Sequence, residues 1–93
     1  MNLQKEYESN AKRHFDQKHF KECLKMCFSC MSINPSLQWI YDLCGYSYLN
    51  LGMWSQSRGS FSTAKIFEKN QNKIKNYDKL IELCYEREKE SSD

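Results

Sequence analysis

Three cysteines lie close together in the sequence, at the spacing Cys23-x3-Cys27-x2-Cys30. Three thiolates at such a spacing could bind an iron–sulfur cluster and leave one iron open to a substrate. Cys27 and Cys30 also have a spacing that occurs in zinc sites, and His14 and His19 precede them. The residue types therefore offer two candidate metal sites, an iron–sulfur cluster and a zinc ion.

Neither metal site is complete. The cysteine spacing is similar to that of radical S-adenosylmethionine enzymes, but those enzymes place the cysteines on a loop of a much larger barrel. A zinc site lacks a second CxxC pair or an HxxxH pair, and redox use of Cys27 and Cys30 lacks an accompanying βαβ pattern. We therefore predict that these cysteines are small buried residues. A cysteine-based zinc or iron–sulfur protein is the alternative.

Other catalytic constellations are also missing from the sequence. Neither His14 nor His19 has a Ser or Asp at a convincing triad spacing, and the three glycines stand too far apart to form a phosphate-binding loop. We predict a protein that is not an enzyme and that has no cofactor.

Length and composition limit the remaining classes. A chain of 93 residues has room for one domain, and its net charge of +2 with no basic run argues against nucleic-acid binding. No segment approaches the roughly 20 apolar residues of a membrane span, and no secretory signal is apparent. Five cysteines, an odd number, favour reduced thiols and a cytoplasmic location, with the nucleus as the second choice.

Apolar residues recur at helical spacing along almost the whole chain, which predicts an all-α fold of five helices. The run Asn34-Pro35-Ser36 separates the second helix from the third, because the residue before a proline is disfavoured in a helix. Gly52 ends a third helix over residues 37–51, and a fourth covers residues 54–68. Connectors this short make consecutive helices antiparallel neighbours.

A shift of 34 residues aligns the first helix pair with the second. Ala11 aligns with Gly45, where two helices of a hairpin must approach closely, and Phe20 aligns with Trp54 at the start of each second helix. The sequence therefore predicts a repeated helix hairpin. Its inner face includes three small residues, Cys23, Cys27 and Cys30.

This pattern resembles the tetratricopeptide repeat (TPR), whose period is also 34 residues. The second repeat carries the resemblance best, at Tyr41, Cys44, Gly45, Tyr48, Gly52, Trp54, Phe61 and Ala64. The first carries it at Tyr7, Ala11, Phe20, Cys23, Cys30, Asn34 and Pro35, and departures occur at Cys27, Ser57 and Lys69. The resemblance implies antiparallel helix-hairpin repeats of the α-solenoid type in one domain, residues 1–93. Repeat 1 would cover about residues 4–37, repeat 2 about 38–71, and a capping helix about 72–90.

In TPR arrays, the first helix of each pair lines a concave groove. The resemblance implies a peptide-binding groove lined by Lys5, Lys12, Trp39, Leu43, Tyr46, Lys73 and Tyr77. Its aromatic side chains and three lysines suit a peptide or helix with apolar anchors and some acidic character.

A standard Hsp70/Hsp90 carboxylate clamp is not expected. Co-chaperones of this family use Lys, Asn, Asn, Lys and Arg, and only Lys73 keeps the required type here. The matching positions are Glu8, Lys12, Leu43, Lys73 and Tyr77. We therefore predict a protein–protein interaction module, such as an adaptor, assembly factor or co-chaperone-like protein, without this clamp. A subunit or fragment whose aromatic stripe is buried in a larger assembly, or is used for weak self-association, is a further alternative.

Overall fold

The computed structural model describes residues 2–91, which form five α-helices joined by short turns, with no strand in that range. The predicted all-α, five-helix fold is confirmed. The helices are Leu3–Asp16 (α1), Phe20–Ile33 (α2), Gln38–Asn50 (α3), Trp54–Phe67 (α4) and Gln71–Ser91 (α5).

Each helix packs against the next one along the chain, and α1 also contacts α3. This order of contacts is that of stacked helix hairpins. The stack is elongated, with principal extents of 47, 29 and 21 Å.

The α1–α2 and α3–α4 turns have the same backbone structure, 34 residues apart. Lys18 (φ 63°) and Gly52 (φ 73°) both adopt the left-handed conformation. In each turn, two N–H groups bond carbonyls of the last helical turn in the pattern of a Schellman motif. The bonds run from His19 N to His14 O (2.8 Å), Lys18 N to Phe15 O (2.9 Å), Met53 N to Tyr48 O (2.9 Å) and Gly52 N to Leu49 O (3.2 Å). The repeat is therefore present in the hydrogen bonds as well as in the sequence.

Small residues let the helices of each hairpin approach closely. Ala11 is fully buried, and a Cβ atom on Gly45 would lie only 2.5 Å from Cε1 of Phe61 on α4. Ser57, also on α4, donates a 2.7 Å hydrogen bond to the carbonyl oxygen of Gly45. The α3–α4 interface is therefore tight enough to exclude any side chain at position 45.

The core has two parts. The larger part lies among α1, α2 and α3 and contains Cys23, Cys27 and Cys30, each with no exposed surface. The smaller part joins α4 to α5 through Phe61, Ala64 and Tyr77. Burial of the three cysteines on one face of α2 agrees with their predicted packing role.

The helix ends differ slightly from the predicted ones. The third helix begins at Gln38, one residue after the predicted start at residue 37, and Asn34 accepts a hydrogen bond from Ser36 N–H (3.0 Å) that holds the preceding segment in a turn. The fifth begins at Gln71, one residue before the predicted start of the capping helix, since the Asn70 side chain accepts hydrogen bonds from the N–H groups of residues 72 and 73 and caps the helix. Met1 and residues 92–93 of the predicted domain lie outside the described residues.

Candidate functional site

A cleft of about 320 Å³ lies between α3 and α5. Phe15 of α1 and Glu68, which follows α4, also line it. Its walls combine aromatic and aliphatic side chains with a few charged groups. The lining residues are Phe15, Gln38, Asp42, Leu43, Tyr46, Glu68, Lys73, Asn76, Tyr77 and Leu80.

Helical spacing explains why α3 contributes so much of this wall. Gln38, Asp42 and Tyr46 follow one another at four-residue intervals, which places them on one face of the helix. Residues on another face of the same helix, among them Cys44 and Gly45, are buried. One helix thus packs in the core and lines the cleft at the same time.

Tyr46 is the aromatic residue that the cleft presents to solvent. Its side chain remains 39% exposed although its ring contacts two others. The ring centroid lies 5.0 Å from that of Phe61 and 6.5 Å from that of Phe15, both in edge-to-face geometry. These contacts hold the ring in place, so that a guest would meet an ordered aromatic surface.

A hydrogen-bond network connects α3, α5 and Glu68. Tyr77 donates its hydroxyl hydrogen to Oδ1 of Asp42, and Nε2 of Gln38 donates both to the Tyr77 hydroxyl (3.1 Å) and to Oε2 of Glu68. Burial, together with the hydrogen bond to Asp42, raises the pKa of Tyr77 to about 12, which keeps the phenol protonated. The network therefore fixes two carboxylates at the cleft.

The two carboxylates differ in their electrostatics. Burial raises the pKa of Asp42 above its usual value, against the opposite effects of the Tyr77 hydrogen bond and Lys73. The hydrogen bond from Gln38 lowers the pKa of Glu68, aided by backbone N–H groups of residues 69 and 70. The Asp42 carboxylate is therefore less well solvated than the Glu68 carboxylate.

The structure brings together four of the seven predicted groove residues, namely Leu43, Tyr46, Lys73 and Tyr77. The other three do not line the cleft. Trp39 is half-buried against the larger core, Lys12 forms a 2.8 Å ion pair with Glu8, and Lys5 is exposed near the start of α1. The cleft consequently has one lysine where the sequence suggested three.

Sequence reasoning missed Phe15, Gln38, Asp42, Glu68, Asn76 and Leu80 as lining residues. A signal existed for Asp42 and Gln38, which precede Tyr46 by four and eight positions. Nothing comparable pointed to Glu68 or Phe15, because both reach the cleft from other segments of the chain.

A second cavity, of about 270 Å³, is lined from α2, α3 and α4. No charged side chain of residues 2–91 lies in its wall, which includes Phe28, a residue that is 45% exposed. Its remaining lining residues are Met31, Tyr41, Cys44, Tyr48, Gln56, Gly59, Ser60 and Thr63.

All five cysteines are free thiols and buried. A hydrogen bond from Cys27 lowers the pKa of Cys23 to about 7 despite burial, and the same contact raises the pKa of Cys27. Between residues 2 and 91, no three His, Cys, Asp or Glu side chains are grouped so that they could hold a metal ion. The His14 and His19 rings lie 5.8 Å apart at the α1–α2 turn.

Comparison with known proteins found no matching family model, no matching curated protein and no matching solved structure. The likeness to the TPR family therefore stays a prediction from the sequence. None of the five described helices combines the length and the hydropathy needed to cross a membrane.

Proposed function

We propose that this chain is a protein–protein interaction module of the TPR type, an adaptor or assembly factor that binds a segment of a partner protein in the cleft between α3 and α5. The observation that carries the proposal is the cleft itself, with the partly exposed, ordered ring of Tyr46 beside Leu43 and Leu80. Apolar clefts with a few fixed polar groups suit a single anchoring side chain of a peptide or helix. The TPR assignment rests on the two Schellman turns at a 34-residue offset.

The arrangement of the cleft also supports a module without the Hsp70/Hsp90 carboxylate clamp. Such a clamp needs several cationic or amide side chains that converge on a carboxylate. Leu43 and Tyr77 occupy two of its positions in the cleft wall, and Lys12 at a third is paired with Glu8. A cytoplasmic or nuclear location is part of the proposal, since five free thiols suit a reducing compartment.

The test is an unbiased peptide selection. A library of random 12-residue peptides displayed on phage is panned on the immobilised protein, and enriched peptides are synthesised and titrated by fluorescence anisotropy. We expect Tyr46→Ala to weaken binding by at least about tenfold, as removal of a central aromatic anchor typically does. Asn76→Trp, which fills the cleft from an exposed position on α5, should have the same effect without removing a packed ring.

Two control variants locate the binding site. Tyr85→Ala removes a tyrosine that is 49% exposed on α5 but does not line the cleft, and Phe28→Ala alters the second cavity. Both should bind the selected peptides as the wild type does. Failure to enrich any peptide, or equal affinity of the wild type and Asn76→Trp, would overturn the proposal.

A further inference from the structure

The charges at the cleft suggest what the partner segment carries. Among the described residues, two carboxylates, Asp42 and Glu68, line the cleft with a single ammonium group, that of Lys73. In the described part of the chain, no ion pair joins Lys73 to either carboxylate. The cleft thus has an excess of negative charge, whereas the whole chain has a formal charge of +2.

We propose that the cleft selects partner segments in which an arginine, or less well a lysine, lies next to the apolar anchor. This inference rests on the proposed function, because it specifies the ligand of the same site. It replaces the acidic character expected from three groove lysines, since only Lys73 lines the cleft.

The hydrogen-bond network leaves room for such a cation. Among the described residues, the side chain of Asp42 is hydrogen-bonded through Oδ1 alone, by Tyr77, which leaves Oδ2 for a guest. One hydrogen-bond network links the two carboxylates, because Gln38 donates to Glu68 and to the Tyr77 hydroxyl, and that hydroxyl donates to Asp42. A guanidinium can donate to both at once, because it presents several N–H groups in one plane.

Burial and the aromatic wall favour the same guest. Asp42 loses solvation by its position, and a cation that approaches it would compensate for that loss. Tyr46 contributes an ordered and partly exposed ring, and the planar face of a guanidinium stacks well on tyrosine. The arginine preference follows from these two features together, because an ammonium group provides neither the plane nor the fork of donors.

The experiment uses peptides from the phage selection described above whose binding is lost in Asn76→Trp. Each is synthesised again with arginine replaced by citrulline, which keeps the shape and removes the charge, and with arginine replaced by lysine. The peptides are titrated against the wild type, Asp42→Asn and Glu68→Gln, which retain an acceptor oxygen for Tyr77 and Gln38. Asp16→Asn and Glu82→Gln, exposed acids that do not line the cleft, are the matched controls.

We expect citrulline to weaken binding to the wild type by about tenfold, as loss of a charge-assisted hydrogen bond does. The same replacement should weaken binding to Asp42→Asn by about threefold or less, because the two changes remove one interaction. Citrulline should weaken binding to the two control proteins, Asp16→Asn and Glu82→Gln, as much as it weakens binding to the wild type. Peptides with lysine in place of arginine should bind the wild type with intermediate affinity.

Two negative results are distinguishable. If no peptide is enriched, the proposed function and this inference both fail. If peptides that depend on the cleft contain no basic residue, or bind equally well with citrulline, the inference alone is overturned and the proposed function stands.

Discussion

Gly45 on α3 lies directly against the ring of Phe61 on α4, and a Cβ atom at position 45 would be 2.5 to 2.8 Å from three of the ring carbons. The Phe61 ring is fully buried, with Tyr46 on one side and Tyr77 on another. The ring therefore has little space to move away. This contact sets the distance between the two helices and also positions the two tyrosines of the cleft.

Gly45→Ala should lower the free energy of unfolding by about 2 kcal/mol, because overpacking of this interface outweighs the better helix propensity of alanine. The matched control is Gly59→Ala on α4, where nothing lies within 4 Å of the added Cβ. That variant should gain up to about 1 kcal/mol. Urea denaturation measures the change in the free energy of unfolding for both variants. A change of the same sign in both would contradict the inferred packing.

The two turns allow a reciprocal test at Lys18 and Gly52. A non-glycine residue in the left-handed conformation costs about 1–2 kcal/mol. Glycine avoids this cost, but its greater freedom in the unfolded chain offsets part of the gain in stability. Lys18→Gly should therefore raise the free energy of unfolding by about 0.5–1 kcal/mol. Gly52→Lys should lower it by about 1 kcal/mol, through the backbone alone, since the nearest atom to a Cβ there is 3.8 Å away. Unchanged melting temperatures in both variants would show that these turns are not under the inferred strain.

Ser57 and Ser47 are both fully buried but should respond oppositely to replacement by alanine. Ser57→Ala leaves the Gly45 carbonyl without its side-chain donor and should cost about 1–2 kcal/mol. Among residues 2–91 the Ser47 hydroxyl forms no hydrogen bond of normal geometry, and it lies beside the Cys23 thiol, whose pKa it helps to lower. Because sulfur is a weak hydrogen-bond partner, Ser47→Ala should stabilise the fold by up to about 1 kcal/mol. Thermal unfolding of the pair measures both effects, and a loss of stability in Ser47→Ala would mean that its hydroxyl is bonded.

Tyr77 should make the fold sensitive to alkaline pH. Its pKa of about 12 in the folded protein exceeds the ordinary value of 10.0, so the folded chain holds a proton that the unfolded chain releases. Stability is therefore lost as the pH rises from about 10 to 12. Urea titrations at pH 9 and pH 11 measure this decline in the free energy of unfolding. The decline should be smaller by about 1–2 kcal/mol in Tyr77→Phe than in the wild type. A decline that is as steep in Tyr77→Phe as in the wild type would contradict this role of Tyr77.

The fifth helix should be required for folding only as far as its buried residues extend. A chain that ends at residue 70 exposes Phe61 and Ala64, which α5 otherwise covers, and should show no cooperative unfolding transition. A chain that ends at residue 86 keeps Tyr77 and Cys84 and loses the partly exposed Arg58–Glu88 ion pair (3.0 Å). It should fold with a loss of about 1 kcal/mol or less. Circular dichroism during thermal unfolding separates these outcomes.

The sequence predicted the fold well because its main determinants are local. Helical periodicity, the proline after Asn34 and the glycine at position 52 each act within a few residues of the chain. The left-handed residue at position 18 was missed, because a lysine there gives no sign of the turn that it forms.

The cleft was predicted only in part, for a different physical reason. Periodicity says which residues share a face of α3, but not which neighbouring helix covers each face. Trp39 belongs to the half-buried side of the larger core, and Glu68 enters the cleft through its hydrogen bond with Gln38. These placements depend on how α5 lies against α3, which contacts distant in the sequence determine.

The packing of each helix chiefly against its sequence neighbour has a consequence for how the chain folds and for how it could be extended. Contacts that are local in sequence favour rapid folding, which could begin at any hairpin and spread to the next. Amide protons should then exchange in a gradient, slowest near α3 and faster towards α1 and the end of α5. Because the two turns share one hydrogen-bond pattern at a 34-residue offset, a further copy of that unit inserted at the Gly52 turn would lengthen the stack without a new type of loop. Each added copy should raise the unfolding free energy by a similar increment.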